Sequence, residues 1–288
     1  TGIDRAAMQA ALGALDIDSL VVACGATRVR VHGHIGSPQV LFDACAQFGA
    51  VEAMKADDML LQQRSAETPG KLAVLTDSAG DLPAAVAERH GIHIVPVRVS
   101  LDGRDYLDRL GLTAGEFYRR MARSEQLPQT SQPPAGDFRR LFEHVLAYQQ
   151  GAVYVGLSRA LSGTLQAGET AARGFSKPAR VFDSGHVCAG LGLLAWRAGE
   201  MADAGADIEA IETELARLKP LTFTWAIARD ISHAVRGGRI PRWAEPVVRF
   251  SGLLPIAAIK PDGTLGLAGG VFARKRAADA FARYVAKR

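Results

Sequence analysis

The stretch that decides the fold begins with LPQTSQPP (127–134) and ends with GAVYVGLSRALSGTLQ (151–166). The apolar run at 152–155 leads into Gly156, a pattern typical of a buried strand that ends in a loop. Residues 164–173 are rich in helix-forming types, so Ser162 or Gly163 is the predicted N-cap of a helix. These residues therefore form one strand–loop–helix unit.

Hydroxyl side chains lie in two turns of this stretch. Thr130 and Ser131 precede a Pro-Pro pair, and Ser162 and Thr164 flank Gly163 at the predicted helix start. The first backbone N–H groups of a helix are unpaired donors at its positive end, and together with hydroxyls they suit a carboxylate or a phosphate. The alternative is that Ser162 and Thr164 only cap the helix, and the spacing alone leaves both interpretations open.

Apolar strands and helices alternate from residue 71 onwards. The predicted strands are 72–75, 92–99, 153–156 and 180–183, and the predicted helices are 82–89, 113–123, 136–149, 189–204 and 207–218. This alternation predicts an α/β fold with a mainly parallel sheet covered by helices on both faces. In such sheets ligands bind at the carboxyl ends of the strands, where Asp77, Ser158 and Asp183 would gather.

The remaining segments predict a second lobe and a small N-terminal piece. In the second lobe we expect a strand at 222–228, a short helix at 230–235, a glycine turn at 237–240, a hairpin of 256–259 with 265–272, and a helix at 274–287. At the N-terminal side, a β-β-α-β order is predicted for 19–24, 28–32, 38–48 and 51–55. The predicted domains are 1–60, a polar linker 61–70, lobe 1 at 71–186 and lobe 2 at 187–288.

Composition limits the possible functions. The formal net charge of +4 over 288 residues is too small to predict nucleic-acid binding. Cys24, Cys45 and Cys188 are too widely spaced for a disulfide framework, which favours a reducing compartment. No apolar run approaches the roughly 20 residues of a membrane-spanning helix. We therefore predict a cytoplasmic protein without an integral membrane segment and without a nucleic-acid partner.

Five short motifs occur in the order of a known family. They are LTDSAGDL (75–82), TSQP (130–133), LSGT (161–164), DS (183–184) followed by GLG (190–192), and GGRI (237–240). On these motifs, residues 71–276 resemble the DegV family, the fatty-acid-binding proteins that serve as B subunits of bacterial fatty-acid kinase. The resemblance implies a two-lobed fold with the acyl chain of a long-chain fatty acid buried between the lobes.

The resemblance also implies site residues and partners. The carboxylate would be held by Thr130 and Ser162, with Ser131, Gly163 and Thr164 in the same motifs. Arg239 would present the head group to the catalytic domain of the kinase; the alternative is a surface arginine that closes a glycine turn. The chain would be a non-catalytic lipid-binding component that serves phospholipid synthesis and has no catalytic residue and no cofactor besides the bound fatty acid.

Two departures from the DegV pattern accompany the resemblance. Cys188 stands where the family often has serine, which would change the polarity of the pocket without removing the carboxylate anchor. The family also normally continues past the last predicted helix, so the resemblance implies that lobe 2 is incomplete within these 288 residues.

The start of the chain resembles a different protein of the same system. Residues 19–60, and above all RVRVHGHI (28–35), resemble the end of the middle domain of the catalytic component of that kinase. There a His-x-His pair contributes to a zinc site with a cysteine further upstream. His32 and His34 would point to the same side of a strand, but structural zinc takes four ligands, and we predict no metal here. The combination implies a longer fusion in which the kinase domain is part of the same parent chain.

Two other classes of function stay open. A serine hydrolase would use Ser158 at a strand-to-helix turn, followed by Asp183 and His233 in the usual order. The nucleophile elbow needs Gly-x-Ser-x-Gly, however, and this chain has GLSRA at 156–160. A regulatory or nucleic-acid-binding module would rely on the basic run at 274–276, although aromatic residues are not interleaved with it.

Overall fold

The computed structural model describes residues 4–25, 27–56, 59, 63, 71–236, 241–272 and 274–287. The strands are β1 (Asp18–Cys24), β2 (Val29–His34), β3 (Leu72–Asp77), β4 (His93–Val95), β5 (Arg98–Leu101), β6 (Arg104–Leu107), β7 (Gln129–Ser131), β8 (Gly151–Gly156), β9 (Ala179–Asp183), β10 (Trp225–Ile227), β11 (Leu253–Ile259) and β12 (Leu265–Phe272). The helices are α1 (Arg5–Gly13), α2 (Pro38–Ala46), α3 (Ala84–Arg89), α4 (Ala114–Met121), α5 (Ala135–Tyr148), α6 (Thr164–Ala171), α7 (Cys188–Asp203), α8 (Ile208–Leu218), α9 (Ser232–Arg236), α10 (Ala244–Ser251) and α11 (Ala277–Val285).

The central sheet has the strand order β4-β3-β8-β9, and its strands are parallel. All six residues of β8 are buried, and their side chains alternate between two cores. Val153 and Val155 pack with α7 and α8 on one face, whereas Ala152 and Tyr154 pack with α5 and α6 on the other. The prediction of a mainly parallel sheet with helices on both faces is confirmed.

Most helices around this sheet follow from local sequence signals, namely apolar spacing and capping residues. The buried stripe of α5 comprises Phe138, Phe142, Val145 and Leu146, at the spacing expected for one helix face. The N–H of Ala210 donates to the Asp207 carboxylate at 2.8 Å, which is the predicted cap of α8.

Two antiparallel sheets complete the chain after residue 71. The sheet β6-β5-β7 is formed by strands that alternate in sequence with elements of the parallel sheet, and β10-β11-β12 is the sheet formed by the described residues after 187. In the predicted hairpin β11–β12, Gly263 adopts a φ of 79°, which a residue with a Cβ rarely adopts. The predicted lobe boundary after residue 186 stays a prediction; α7 and α8, which follow it, share the core of the parallel sheet.

The N-terminal unit, residues 4–56, has a small core of its own. Helices α1 and α2 cover one face of the hairpin β1–β2, and Met8, Leu12, Leu41 and Ala44 are buried between them. Helix α1 was not predicted from the sequence, and the strand predicted at 51–55 is wrong because these residues form no ladder.

Three other predicted strands and helices need correction. The single strand predicted at 92–99 is two strands in different sheets, because Pro96 between them has no N–H for a ladder. The strand predicted at 222–228 shortens to β10, and the terminal helix begins only at Ala277. Within the described ranges, no helix combines the length and the apolar composition that a bilayer crossing requires.

Polar contacts join the end of the parallel sheet to the second lobe. The Nδ1 and Nε2 atoms of His186 lie 3.1 Å from the Thr224 hydroxyl and 3.2 Å from the Lys219 carbonyl. A carbonyl only accepts, so Nε2 carries the proton and Nδ1 accepts from Thr224. Lys219 in turn donates from Nζ to the carbonyl of Asp183 at 2.7 Å. Burial lowers the pKa of His186; the hydrogen bond to the Lys219 carbonyl opposes this, the Lys219 ammonium lowers the pKa further, and the Asp183 carboxylate raises it.

These contacts predict a stability loss in mild acid. A histidine whose folded pKa lies below its unfolded value of about 6.5 stabilises the fold above that pH, and this contribution is lost as the pH falls. We expect the free energy of unfolding to fall more between about pH 7.5 and 5 in the wild type than in His186→Gln, measured by urea titration at each pH. An equal fall in both proteins would contradict this role of His186.

Candidate functional site

The first hydroxyl motif lies on an edge strand. β7 pairs antiparallel with β5, so that Thr130 stands opposite Val99 and Ser131 opposite Arg98. All three residues of β7 are exposed. This strand of three polar residues was not predicted, because it lacks the apolar alternation by which strands are recognised. The Thr130 and Ser131 hydroxyls are thus accessible at the edge of the β6-β5-β7 sheet.

The second hydroxyl motif forms the start of α6. The N-cap is Gly163, with a φ of −73° and a ψ of 2°, and α6 begins at Thr164. The Ser162 hydroxyl accepts from the Thr164 N–H at 3.2 Å and lies 2.9 Å from the Thr164 hydroxyl. Thr164 is buried, whereas Ser162 is half-buried. The Thr164 side chain therefore supports Ser162 from within.

The two motifs adjoin each other in space. A Cβ added at Gly163 would collide with the amide oxygen of the Gln132 side chain, which follows Ser131 directly. A side chain at position 163 would displace the Gln132 side chain, so glycine serves this close approach and not an unusual backbone conformation. The structure thus brings the segment of Thr130 and Ser131 next to the segment of Ser162, Gly163 and Thr164.

A buried carboxylate fixes the loop that leads to Ser162. Asp77 accepts hydrogen bonds from the Tyr154 hydroxyl at 2.7 Å, the Leu157 N–H at 2.9 Å and the Ala79 N–H at 3.1 Å. Burial raises the pKa of Asp77, whereas these three donors and the charge of Arg109 act in the opposite direction. Because the donors come from β8 and from the turns after β3 and β8, Asp77 holds the carboxyl ends of both strands together.

Ser158 has a structural partner in the second lobe. Its hydroxyl is buried and donates to the carbonyl of Gly263, in the β11–β12 turn, at 2.9 Å. The Asp183 carboxylate accepts from the backbone N–H groups of Arg159 and Gly185, and His233 lies 3.4 Å from the Ser232 hydroxyl. The groups around Ser158, Asp183 and His233 therefore do not form the relay that a serine hydrolase needs.

A cleft lies in the second lobe, and none of the residues that line it belongs to the hydroxyl motifs. Its volume is about 550 Å³. It is lined by Arg229, Asp230, Ile231, Ser232, Glu245, Val248, Arg249 and Leu254. Arg239 lies outside the described residues. Arg236, the last described residue before the GGRI motif, donates from Nη2 to the Glu125 carbonyl at 2.8 Å, close in sequence to β7.

The pair His32 and His34, and Cys188, which stands where the DegV family often has serine, all lie outside the hydroxyl motifs. The rings of His32 and His34 stand edge to face with their centroids 5.3 Å apart. In the described part of the chain, no three His, Cys, Asp or Glu side chains gather as a metal site would require. The predicted absence of zinc stays a prediction. Cys188 is exposed at the start of α7 with a φ of 53°.

The chain is similar to two protein families. Residues 71–288 match the family described as "Uncharacterised protein, DegV family", and residues 2–66 match the FakA-like middle domain of fatty acid kinase. A DegV domain-containing protein of Listeria innocua is 35% identical over 176 residues, which cover 59% of this chain and only 61% of that protein. A DegV domain-containing protein of Streptococcus pyogenes serotype M3 is 30% identical over 196 residues, covering 67% of this chain and 70% of that protein.

Solved structures show the same fold. One is described as fatty acid binding of a DegV family protein from Thermus thermophilus; it is 30% identical, with a TM-score of 0.65 over 75% of this chain and 77% of that one. Another, DegV of Bacillus subtilis, is described as a fatty acid binding protein; it is 27% identical, with a TM-score of 0.65 over 76% and 78% of the two chains. The present chain therefore belongs to the DegV family and begins with a segment similar to the FakA-like middle domain of fatty acid kinase.

Proposed function

We propose that this chain binds a long-chain fatty acid, holds its carboxylate at the hydroxyls of Thr130 and Ser162, and presents it to a fatty-acid kinase. The observation that carries the proposal is the contact between Gln132 and Gly163, which brings two hydroxyl motifs from separate elements side by side. The descriptions of the Thermus and Bacillus DegV proteins as fatty-acid-binding support the choice of ligand.

The arrangement of donors suits a carboxylate. Gly163 offers no side-chain cap to α6, and the Ser162 hydroxyl takes the Thr164 N–H, so an anion would accept from the N–H groups that follow at the positive end of the helix. Ser162, oriented by Thr164, and the exposed Thr130 hydroxyl would donate from the two sides. Ser131 is the neighbouring donor on β7, on the opposite face of the strand from Thr130.

The acyl chain and the head group of the lipid would contribute differently to the binding free energy. Ten buried methylenes at about 0.8 kcal/mol each give roughly 8 kcal/mol before the costs of association. A hydrogen bond from a hydroxyl to a carboxylate contributes about 1.5–3 kcal/mol. The acyl chain would therefore set most of the affinity, and the hydroxyls would fix which end of the lipid faces the kinase.

Presentation to a kinase is the second part of the proposal. The N-terminal match to a kinase component supports a kinase partner, in the same parent chain or beside it. The family resemblance supports a head-group role for Arg239, which would make a bidentate contact with a carboxylate or acyl phosphate. The chain itself would supply no catalytic residue and need no cofactor. It would act in the cytoplasm, in phospholipid synthesis.

Lipid binding can be tested directly. We expect the purified chain to release a fatty acid on denaturation and extraction, detected by mass spectrometry, and to take up palmitate or oleate after delipidation. Thr130→Val and Ser162→Ala should each weaken palmitate binding roughly 10- to 100-fold, because each removes one hydrogen bond to a charged group. Absence of both bound and exchangeable lipid would contradict the proposal.

Ser158→Ala is the matched control for these variants. It removes a hydroxyl of the same loop, but that hydroxyl donates to the Gly263 carbonyl, so palmitate affinity should stay close to that of the wild type. If the wild type turned over p-nitrophenyl esters and Ser158→Ala did not, the hydrolase alternative would replace the binding function.

The role of Arg239 predicts a separation of two activities. Arg239→Ala should retain the fatty acid yet lose its phosphorylation by the partner kinase, because the acyl chain sets affinity and the guanidinium acts at the head group. Lipid content by mass spectrometry and acyl-phosphate formation with ATP measure the two properties. Arg242→Ala, an exposed arginine three residues further on, serves as the control. Equal loss of both properties in Arg239→Ala would make Arg239 a binding residue instead.

A further inference from the structure

Arg98 joins three segments of the chain through one guanidinium group. Its Nη2 atom donates to the Asp137 carboxylate at 2.9 Å and to the backbone carbonyl of Met54 at 3.2 Å. The side chains of Arg98 and Asp137 are only 16% and 14% exposed. Met54 is itself buried. A shielded bridge of this kind restrains its partners more than an exposed ion pair does.

Two of these segments flank the first hydroxyl motif. Arg98 stands directly opposite Ser131 in the β5–β7 ladder. Asp137 lies in the first turn of α5, which follows the motif after the two prolines. Arg98 thus lies opposite β7 at Ser131 and binds Asp137 beyond the prolines, so that Gln132 lies between its two contacts and Thr130 directly precedes them. Because β7 is an edge strand of three exposed residues, its own ladder fixes its position only weakly.

The third segment belongs to the N-terminal unit, which also packs on the neighbouring hairpin. The side-chain oxygen of Gln39, in α2, lies against Gly111. Asp43 pairs with Arg104 of β6 at 3.8 Å, with both side chains exposed. The N-terminal unit therefore rests on the β5–β6 hairpin, and Arg98 is the buried link from that unit to β7.

We infer that Arg98 is a positioning residue that couples the placement of the N-terminal unit to the hydroxyl strand β7. The inference rests on the proposed function, because the coupled event is the binding of a fatty-acid carboxylate at Thr130. Ligand that orders β7 would restrain residues 51–56 through Arg98, and displacement of residues 51–56 would in turn weaken binding. This reciprocity follows from linkage between the two equilibria.

The fold should tolerate the loss of Arg98. Asp137 has a second partner, since Arg140 donates from Nη2 to its other carboxylate oxygen at 2.6 Å. The negative charge also lies in the first turn of α5, where the helix dipole favours it. Removal of Arg98 therefore does not leave the Asp137 carboxylate without a counter-charge.

The test uses the whole chain with palmitate as the probe. We expect Arg98→Ala to weaken palmitate binding by about fivefold or more, the range typical of coupling between sites. Arg104→Ala is the matched control: this arginine also contacts the N-terminal unit, but it lies on β6, on the far side of β5 from β7. Its palmitate affinity should equal that of the wild type.

Hydrogen exchange separates coupling from a merely structural role. In the wild type, palmitate should slow exchange in residues 129–131 and also in 51–56; in Arg98→Ala the slowing at 51–56 should disappear. Arg98→Lys keeps a positive charge beside Asp137, but its ammonium ends one bond short of the Nη2 position that contacts both acceptors, so it should lose the same coupling without unfolding.

The possible outcomes are distinct. An unchanged palmitate affinity in Arg98→Ala would overturn the inference. So would a palmitate-dependent slowing of exchange at 51–56 that persists in both Arg98→Ala and Arg98→Lys. In either case lipid binding itself would stand. A wild type that takes up no palmitate would instead remove the proposed function on which the inference rests.

Discussion

The Asp77 carboxylate is the constraint on which the rest of this structure depends. It is fully buried, and its donors come from the β3 turn, from the β8 strand and from the loop that leads to Ser162. A buried acceptor left without donors costs about 1–3 kcal/mol or more for a charged group, so the two strand ends cannot separate without that cost. The hydroxyl site is thus built on a rigid end of the sheet and not on a free loop.

Close packing around Tyr154 makes this arrangement possible. Tyr154 must reach Asp77 from inside the core, and glycines at positions 156 and 168 leave room for its ring. A Cβ at Gly168 would stand 2.5 Å from Cε1 of the ring. The same principle recurs at Gly163, where a side chain would exclude Gln132. In both places the absence of a Cβ allows two segments to approach, and no positive φ is involved.

The parallel sheet was predictable because its strands are buried on both faces and read as continuous apolar runs, as in residues 152–155. The edge elements were not. β7 consists of three exposed polar residues, and the strand predicted through Pro96 divides there between two sheets. The proximity of Gln132 to Gly163 and the bridge at Arg98 are long-range side-chain contacts, which local periodicity does not encode. The sequence motifs identified the hydroxyl residues, whereas only the fold shows that the segments 130–132 and 162–164 adjoin.

The contrast between Ser158 and Ser162 shows how a fold assigns different roles to similar residues. Both serines follow β8 in one loop, and by sequence pattern Ser158 is the better nucleophile. Ser158 donates to the Gly263 carbonyl, 105 positions away in the chain, and so ties the second lobe to the sheet. Ser162, four residues later, bonds only to Thr164 within its own turn among the contacts of the described residues. Ser162 is half-buried at the helix start, where the proposed carboxylate would also meet the positive end of α6. The two serines are therefore distinguished by their hydrogen-bond partners: Ser158 closes the fold, and Ser162 is the serine that the proposed carboxylate site would use.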